Sequence, residues 1–270
     1  MDVKMFRLWA MLLAVLLGSC GRVYHAPLNQ QATLFREAGE GRVQAAFAFI
    51  SEDGMAADVQ GAMALSNRWA VQMAAQLAWG ADGGSPDLYS ARGAQLAAGL
   101  GYYRPLGRFW VVENYAGLGM NYQRHFFPFN SFNEPEDILR VYGFSAYATP
   151  HTSRFDYTGA FVYTQPAIGF RWKYLEAAVS ANVHLGNTAL TNTLNVIASE
   201  EASESGIENN LVFLAEPAFT LRLGLPQIKL QAQFVLVHPL NNVTLAMPDA
   251  RISFGVIVPF THQKRWSKQP

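Results

Sequence analysis

Trp69-Ala70-Val71-Gln72-Met73-Ala74-Ala75-Gln76-Leu77-Ala78-Trp79 reads with a period of two. Trp69, Val71, Met73, Ala75, Leu77 and Trp79 fall on one face, while Arg68, Gln72 and Gln76 fall on the other. Successive side chains of a strand point to opposite faces, so this stretch is a strand meeting two different solvents. A soluble amphipathic helix would space its apolar residues three and four apart. The two tryptophans are ten residues apart. At about 3.3 Å per residue and a tilt near 45°, that separation is roughly 23 Å along the membrane normal, matching the two aromatic girdles of a transmembrane β-barrel.

The same alternation returns along the chain. Leu175, Ala177, Val179, Ala181, Val183 and Leu185 alternate with Glu176, Ala178, Ser180, Asn182 and His184. Ile228, Leu230, Ala232, Phe234 and Leu236 alternate with Lys229, Gln231 and Gln233, and Ile252, Phe254, Val256, Val258 and Phe260 form a last apolar face. The pattern predicts an all-β, antiparallel, up-and-down transmembrane barrel over 41–260, with ten strands near 41–50, 56–65, 68–80, 93–104, 108–122, 155–171, 174–186, 211–223, 227–239 and 250–260. Eight strands remain open if the weak first hairpin does not insert. Tight connections at Ser66-Asn67, Pro105-Leu106-Gly107, Trp172-Lys173 and Gly224-Leu225-Pro226 alternate with longer ones, above all Gln123–Arg154 and Gly186–Asn210. In bacterial outer-membrane barrels the short turns face the periplasm and the long loops face outward.

The first twenty residues bear on the compartment. Lys4 and Arg7 precede an apolar run from Leu8 to Leu17, followed by Gly18, Ser19 and Cys20. The run is about half the length that a spanning helix needs, so residues 1–19 read as a cleaved signal peptide. Leu17-Gly18-Ser19-Cys20 resembles the lipobox of bacterial lipoproteins, which implies an acylated Cys20 at the mature N-terminus. Cys20 is the single cysteine, so a disulfide within the chain has no partner for it. Residues 20–40 carry little periodicity and read as a lipid anchor followed by a periplasmic linker. No acidic patch follows Cys20, and the anchor is expected on the periplasmic side.

Twenty basic groups balance twenty acidic ones, so no net field favours nucleic acid. Charged residues make up 15%, which is low, yet no apolar run after Leu17 is long enough to span as a helix. That combination suits a barrel whose apolar residues alternate with polar ones. A lipid-tethered soluble barrel of lipocalin type would instead need a charged exterior.

The chain resembles the outer-membrane β-barrel proteins of Bacteroidota, some of them lipid-anchored. The likeness rests on the lipobox, on Leu34-Phe35-Arg36-Glu37-Ala38-Gly39-Glu40 leading into the first strand, on Gly99-Leu100-Gly101-Tyr102-Tyr103 and on Tyr115-Ala116-Gly117-Leu118-Gly119. It covers most of the mature chain and implies a location at the Gram-negative outer membrane, without a reaction. One departure is the basic tail over 261–270, where such barrels often end on an aromatic residue.

Strand parity sends Glu113, Glu176 and Glu216 into the interior with Arg171, Arg222, Lys229 and Arg251. Those groups serve either an ion path or a paired polar core that fills a small barrel. The loop Gln123–Arg154 holds Phe126, Phe127, Phe129, Phe132, Tyr142 and Phe144, together with a capping-box pair, Asn133 and Glu136. Such aromatics suit a protein-recognition surface, a lid, or packing on the barrel's own rim. The acidic residues Glu200, Glu201, Glu204 and Glu208 lack the spacing of a calcium loop. Motifs for zinc proteases, phosphate loops and nucleophile elbows are absent, and no metal or cofactor is expected. The reading is a non-enzymatic barrel that scaffolds or recognises through outer loops, with membrane lipid and a protein at those loops as partners. A narrow solute channel is the alternative, and a hydrolase or acyltransferase built from loop residues such as His125, Asp137, His151 and Ser153 is a third.

Overall fold

The computed structural model describes residues 21–23, 29–49, 54–82, 89–129, 151–194, 210–241, 243–245 and 250–261. Ten long strands form one sheet: β1 (Glu40–Phe49), β2 (Gly54–Ala64), β3 (Trp69–Asp82), β4 (Tyr89–Leu106), β5 (Trp110–Phe129), β6 (His151–Arg171), β7 (Leu175–Leu194), β8 (Asn210–Gly224), β9 (Lys229–Leu236) and β10 (Ala250–Thr261). Each pairs antiparallel with the next, and β10 pairs with β1 from Thr261↔Glu40 to Ile252↔Phe49. The ring is therefore closed, leaving no unpaired edge. The weak first hairpin is inserted, so the strand number is ten. Of three short strands, His238–Pro239 pairs with β8 in the same sheet, while Gly21–Val23 and Val243–Leu245 form a separate two-stranded sheet.

Alternation places the apolar side chains outward. Met73, Leu77, Leu118, Val179, Leu230 and Phe254 are exposed on the outer face, while Gln72, Gln76, Glu176, Ser180 and Gln231 are buried within. Lipid is the solvent that makes such an exterior favourable, so this is the architecture of a membrane-spanning, outer-membrane-type barrel. Aromatic rings mark two heights. Trp69 packs edge-on against Tyr102, Trp110 against Phe170 and Trp172 against Tyr174 at the short-turn end. Phe47 meets Phe49 and Trp79 toward the opposite end.

Tight turns join β2 to β3, β4 to β5, β6 to β7 and β8 to β9, and the longer connections all lie at the other rim. Strands β4 to β7 run 18 to 21 residues. A tilted spanning strand needs only about 9–11, so the surplus extends the wall beyond the membrane on the loop side. This corrects the extent of both large loops. Phe129 pairs with His151, so 123–129 and 151–154 belong to strands, as does 186–194. β-ladder hydrogen bonds do not depend on a lipid-facing pattern, and the alternation weakens where both faces meet water. Phe126, Phe127 and Phe129 lie on β5, whereas Phe132, Tyr142 and Phe144 lie outside the described residues. The signal peptide, Cys20 and the tail beyond Thr261 also lie outside them.

The segment 29–36 departs from the expected periplasmic linker. Asn29, Gln30, Gln31, Ala32, Thr33, Leu34 and Phe35 are all buried, with Leu34 and Phe35 at 0% exposure. They occupy the barrel lumen. The chain descends from mid-lumen to the short-turn rim, where Arg36 Nη2 donates to Gly107 O (2.6 Å) and Gly39 N to Ala64 O (2.9 Å), and then turns into β1.

Candidate functional site

The lumen is a two-part structure: a charged wall and an irregular filament of the chain's own N-terminal region. Glu113 on β5 lies near the short-turn end and takes three hydrogen bonds from that filament. Thr33 N donates to Oε1 (2.6 Å), Thr33 Oγ1 to Oε2 (2.6 Å) and Leu34 N to Oε2 (2.8 Å). Thr33 Oγ1 is also hydrogen-bonded to Tyr115 Oη at 2.7 Å. Leu34 adopts φ 51°, a conformation unusual for a residue with a side chain. Its surroundings hold it there: Glu113 accepts from its N–H, and Arg171 Nη1 donates to its carbonyl at 2.9 Å. Its side chain rests on Gly169, where an added methyl would come within 2.5 Å of Leu34 Cδ2. Glycine thus provides the seat.

Higher in the lumen, amides join the buried charges of Asp58, Glu216 and Arg251. Gln30 N donates to Gln233 Oε1 (2.9 Å), Gln233 Nε2 to Gln30 O (2.7 Å) and Ser180 Oγ to Gln30 Oε1 (2.7 Å). Gln30 Nε2 donates to the carbonyl of Glu216. Asn29 Nδ2 donates to Asp58 Oδ2 (2.8 Å), and Gln60 Nε2 donates to Asn29 O (2.5 Å). Buried polar groups need partners, and wall and filament supply many of one another's, while Asn29 Oδ1, Gln31 Oε1 and Gln60 Oε1 accept no hydrogen bond from the described residues. A residual cavity beside Asn29, Gln31, Gln72 and Asn182 measures about 20 Å³. That is room for about one water molecule.

Glu176 gathers the cations. Arg42 Nη1 lies 2.6 Å from it, Lys229 Nζ 2.8 Å, Arg222 Nη1 3.3 Å and Arg171 Nε 3.6 Å. One carboxylate cannot balance four cations. Arg171 turns also to Glu40 at 2.7 Å, and Arg222 Nη1 donates to the filament carbonyl of Ala32 at 2.5 Å. The carbonyls of Ala32 and Leu34 therefore take donors from Arg222 and Arg171, while the N–H groups of Thr33 and Leu34 go to Glu113. Charge-assisted hydrogen bonds of this kind are among the stronger ones in proteins. A second charge centre pairs Arg251 with Asp58, which also accepts from Gln76 Nε2 at 3.1 Å. Glu216 accepts from Asn182 Nδ2 at 2.9 Å.

The structure thus places all seven interior residues singled out from parity, Glu113, Arg171, Glu176, Glu216, Arg222, Lys229 and Arg251, in the wall. It brings Arg171, Glu176, Arg222 and Lys229 together and sets Glu113 apart as the clamp. Arg42 and Asp58 were missed, although the same parity applied to β1 and β2 would find them. The filament was missed as well. Among the described residues, no cluster of side chains could hold a metal ion.

Sequence comparison identifies no matching protein family and no curated protein that matches the chain. Among solved structures, the chain is similar to the translocator domain of the autotransporter NalP from Neisseria meningitidis, at 9% identity and a TM-score of 0.46 over 83% of this chain and 87% of that one. The β domain of the Bordetella autotransporter Brka gives 12% identity and a TM-score of 0.44 over 83% and 100%. The KdgM porin gives 11% and 0.33 over 81% and 99%. At these values the likeness carries no functional weight, and the barrel assignment rests on the closed strand order and the apolar exterior.

Proposed function

We propose that this chain is a lipid-anchored outer-membrane β-barrel, closed by its own N-terminal segment, whose work is structural or recognitional and is done by its long loops. The observation that carries the reading is the filament Asn29–Phe35 in the lumen, hydrogen-bonded to at least five strands of the wall. A barrel built for solute passage keeps a water-filled path, whereas here the chain's own segment lies in the lumen, hydrogen-bonded to the wall beside a cavity of about 20 Å³. With the lumen occupied, the surfaces left for partners are the lipid-facing belt and the loop rim. The aromatic residues on β5 and in the loop it leads to supply the expected anchors for a protein partner. The lipobox at Cys20 supports acylation, the signal-peptide reading supports export, and a Bacteroidota-type barrel lipoprotein remains the family we favour.

The test is conductance in planar bilayers together with co-purification. Purified intact barrel is expected to pass no steady current, and a variant lacking residues 24–35 is expected to open a pore. Deletion of residues 131–149 is expected to leave the barrel folded and to remove whatever protein accompanies it from native membrane. Steady conductance by the intact protein would move the channel reading ahead of this one.

A further inference from the structure

The path of the chain before β1 places its N-terminal end on a definite side. Val243–Leu245 lies in the connection from β9 to β10, at the rim that carries the long loops. The approach to it is visible: His238 and Pro239 pair with Ala215 and Leu214, Leu240 N donates to Phe213 O (2.7 Å), and Asn241 Nδ2 donates to Leu211 O (2.7 Å). Those partners climb β8 steadily away from its turn at Gly224. Gly21, Arg22 and Val23 pair in parallel with Val243, Thr244 and Leu245 at this same rim. Five residues separate Val23 from Asn29, whose side chain donates to Asp58 inside the barrel. From there the contacts descend in order: Gln30 with Ser180, Ala32 with Arg222 close to the β8–β9 turn, Leu34 with Arg171 at the end of β6, and Arg36 with the β4–β5 turn.

We infer that the mature N-terminus emerges at the long-loop rim, which by the usual orientation of such barrels is the cell surface, so that the segment 21–36 threads the barrel from outside to the periplasmic rim. Resting on the reading of Cys20 as an acylated residue, this places the acyl chains in the outward-facing leaflet, because Cys20 is bonded directly to the rim strand. The periplasmic anchor expected from the sequence is thereby reversed. An acylated cysteine at the other rim would leave residues 21–28 no route to Asn29 except back up the occupied lumen.

Single-cysteine variants and one pair test the path in whole cells. Arg22→Cys and Thr244→Cys are expected to react with a membrane-impermeant maleimide to the same extent before and after the outer membrane is opened. Gln227→Cys, in the β8–β9 turn, is expected to react only afterwards. The double variant Arg22→Cys/Thr244→Cys is expected to form a disulfide, seen as a shift in gel migration, because the two residues are cross-strand partners. Labelling of Arg22→Cys that requires permeabilisation, or absence of the disulfide, overturns the inference. The unsubstituted protein reports on Cys20 separately. A reactive thiol or an intact mass without acyl chains removes the anchor, while the disulfide still scores the path.

Discussion

Glu176 and Glu113 are both buried carboxylates on the wall, and they answer to opposite deficits. Glu176 stands among Arg42, Arg171, Arg222 and Lys229, so Glu176→Gln leaves buried cations without a counter-charge. Removing one partner of a buried pair costs about 3–5 kcal/mol. Urea titration of the detergent-solubilised barrel, followed by its heat-modifiable gel migration, is expected to show a clear drop in midpoint. Glu113→Ala acts elsewhere, on the filament, by removing the acceptor of three hydrogen bonds. The wall is expected to stay folded while a cysteine at Thr33 becomes reactive to maleimide. Unchanged protection of that cysteine would show that the amide contacts around Gln30 hold the segment without the clamp.

At the scale of elements, strands were legible and the filament was not. In β3 the residues from Trp69 to Trp79 face either lipid or the lumen, and that contrast writes a period of two into the sequence. Asn29-Gln30-Gln31 faces a polar lumen on every side, so its burial leaves no apolar signature and it reads like a solvated linker. The same reason hid the upper ends of β5, β6 and β7, residues 123–129, 151–154 and 187–194. Above the membrane they meet water, and only backbone pairing marks them as strands. Lumen charges were legible from parity, but their grouping around Glu176 needed the barrel's closure. The parity itself can be tested on β7. Val179 is 56% exposed on the lipid face and Ser180 is buried against Gln30. Val179→Arg is expected to lower membrane assembly sharply, at about 2–4 kcal/mol for a mid-bilayer arginine. Ser180→Ala loses one hydrogen bond, worth about 1 kcal/mol, and is expected to assemble almost normally by the same gel assay.

For the molecule as a whole, the β1–β10 seam joins the two ends of the sheet, and the filament is the stretch immediately before β1. This sets an order of events. The filament occupies the bore and leaves a cavity of about 20 Å³ beside its Asn29, Gln30 and Gln31. The wall is expected to close around a segment already in place, with Glu113 and the cation group as its docking points and the pairing of Thr261 with Glu40 as the last latch. The filament then acts during assembly as a mandrel, fixing the bore on which ten strands are wound. Pulse-labelled barrel carrying Glu113→Ala is expected to acquire its heat-modifiable form more slowly than the parent. The finished molecule is a thread through a ring, and the thread leaves it only when its contacts to Glu113, Arg222 and Gln233 are broken.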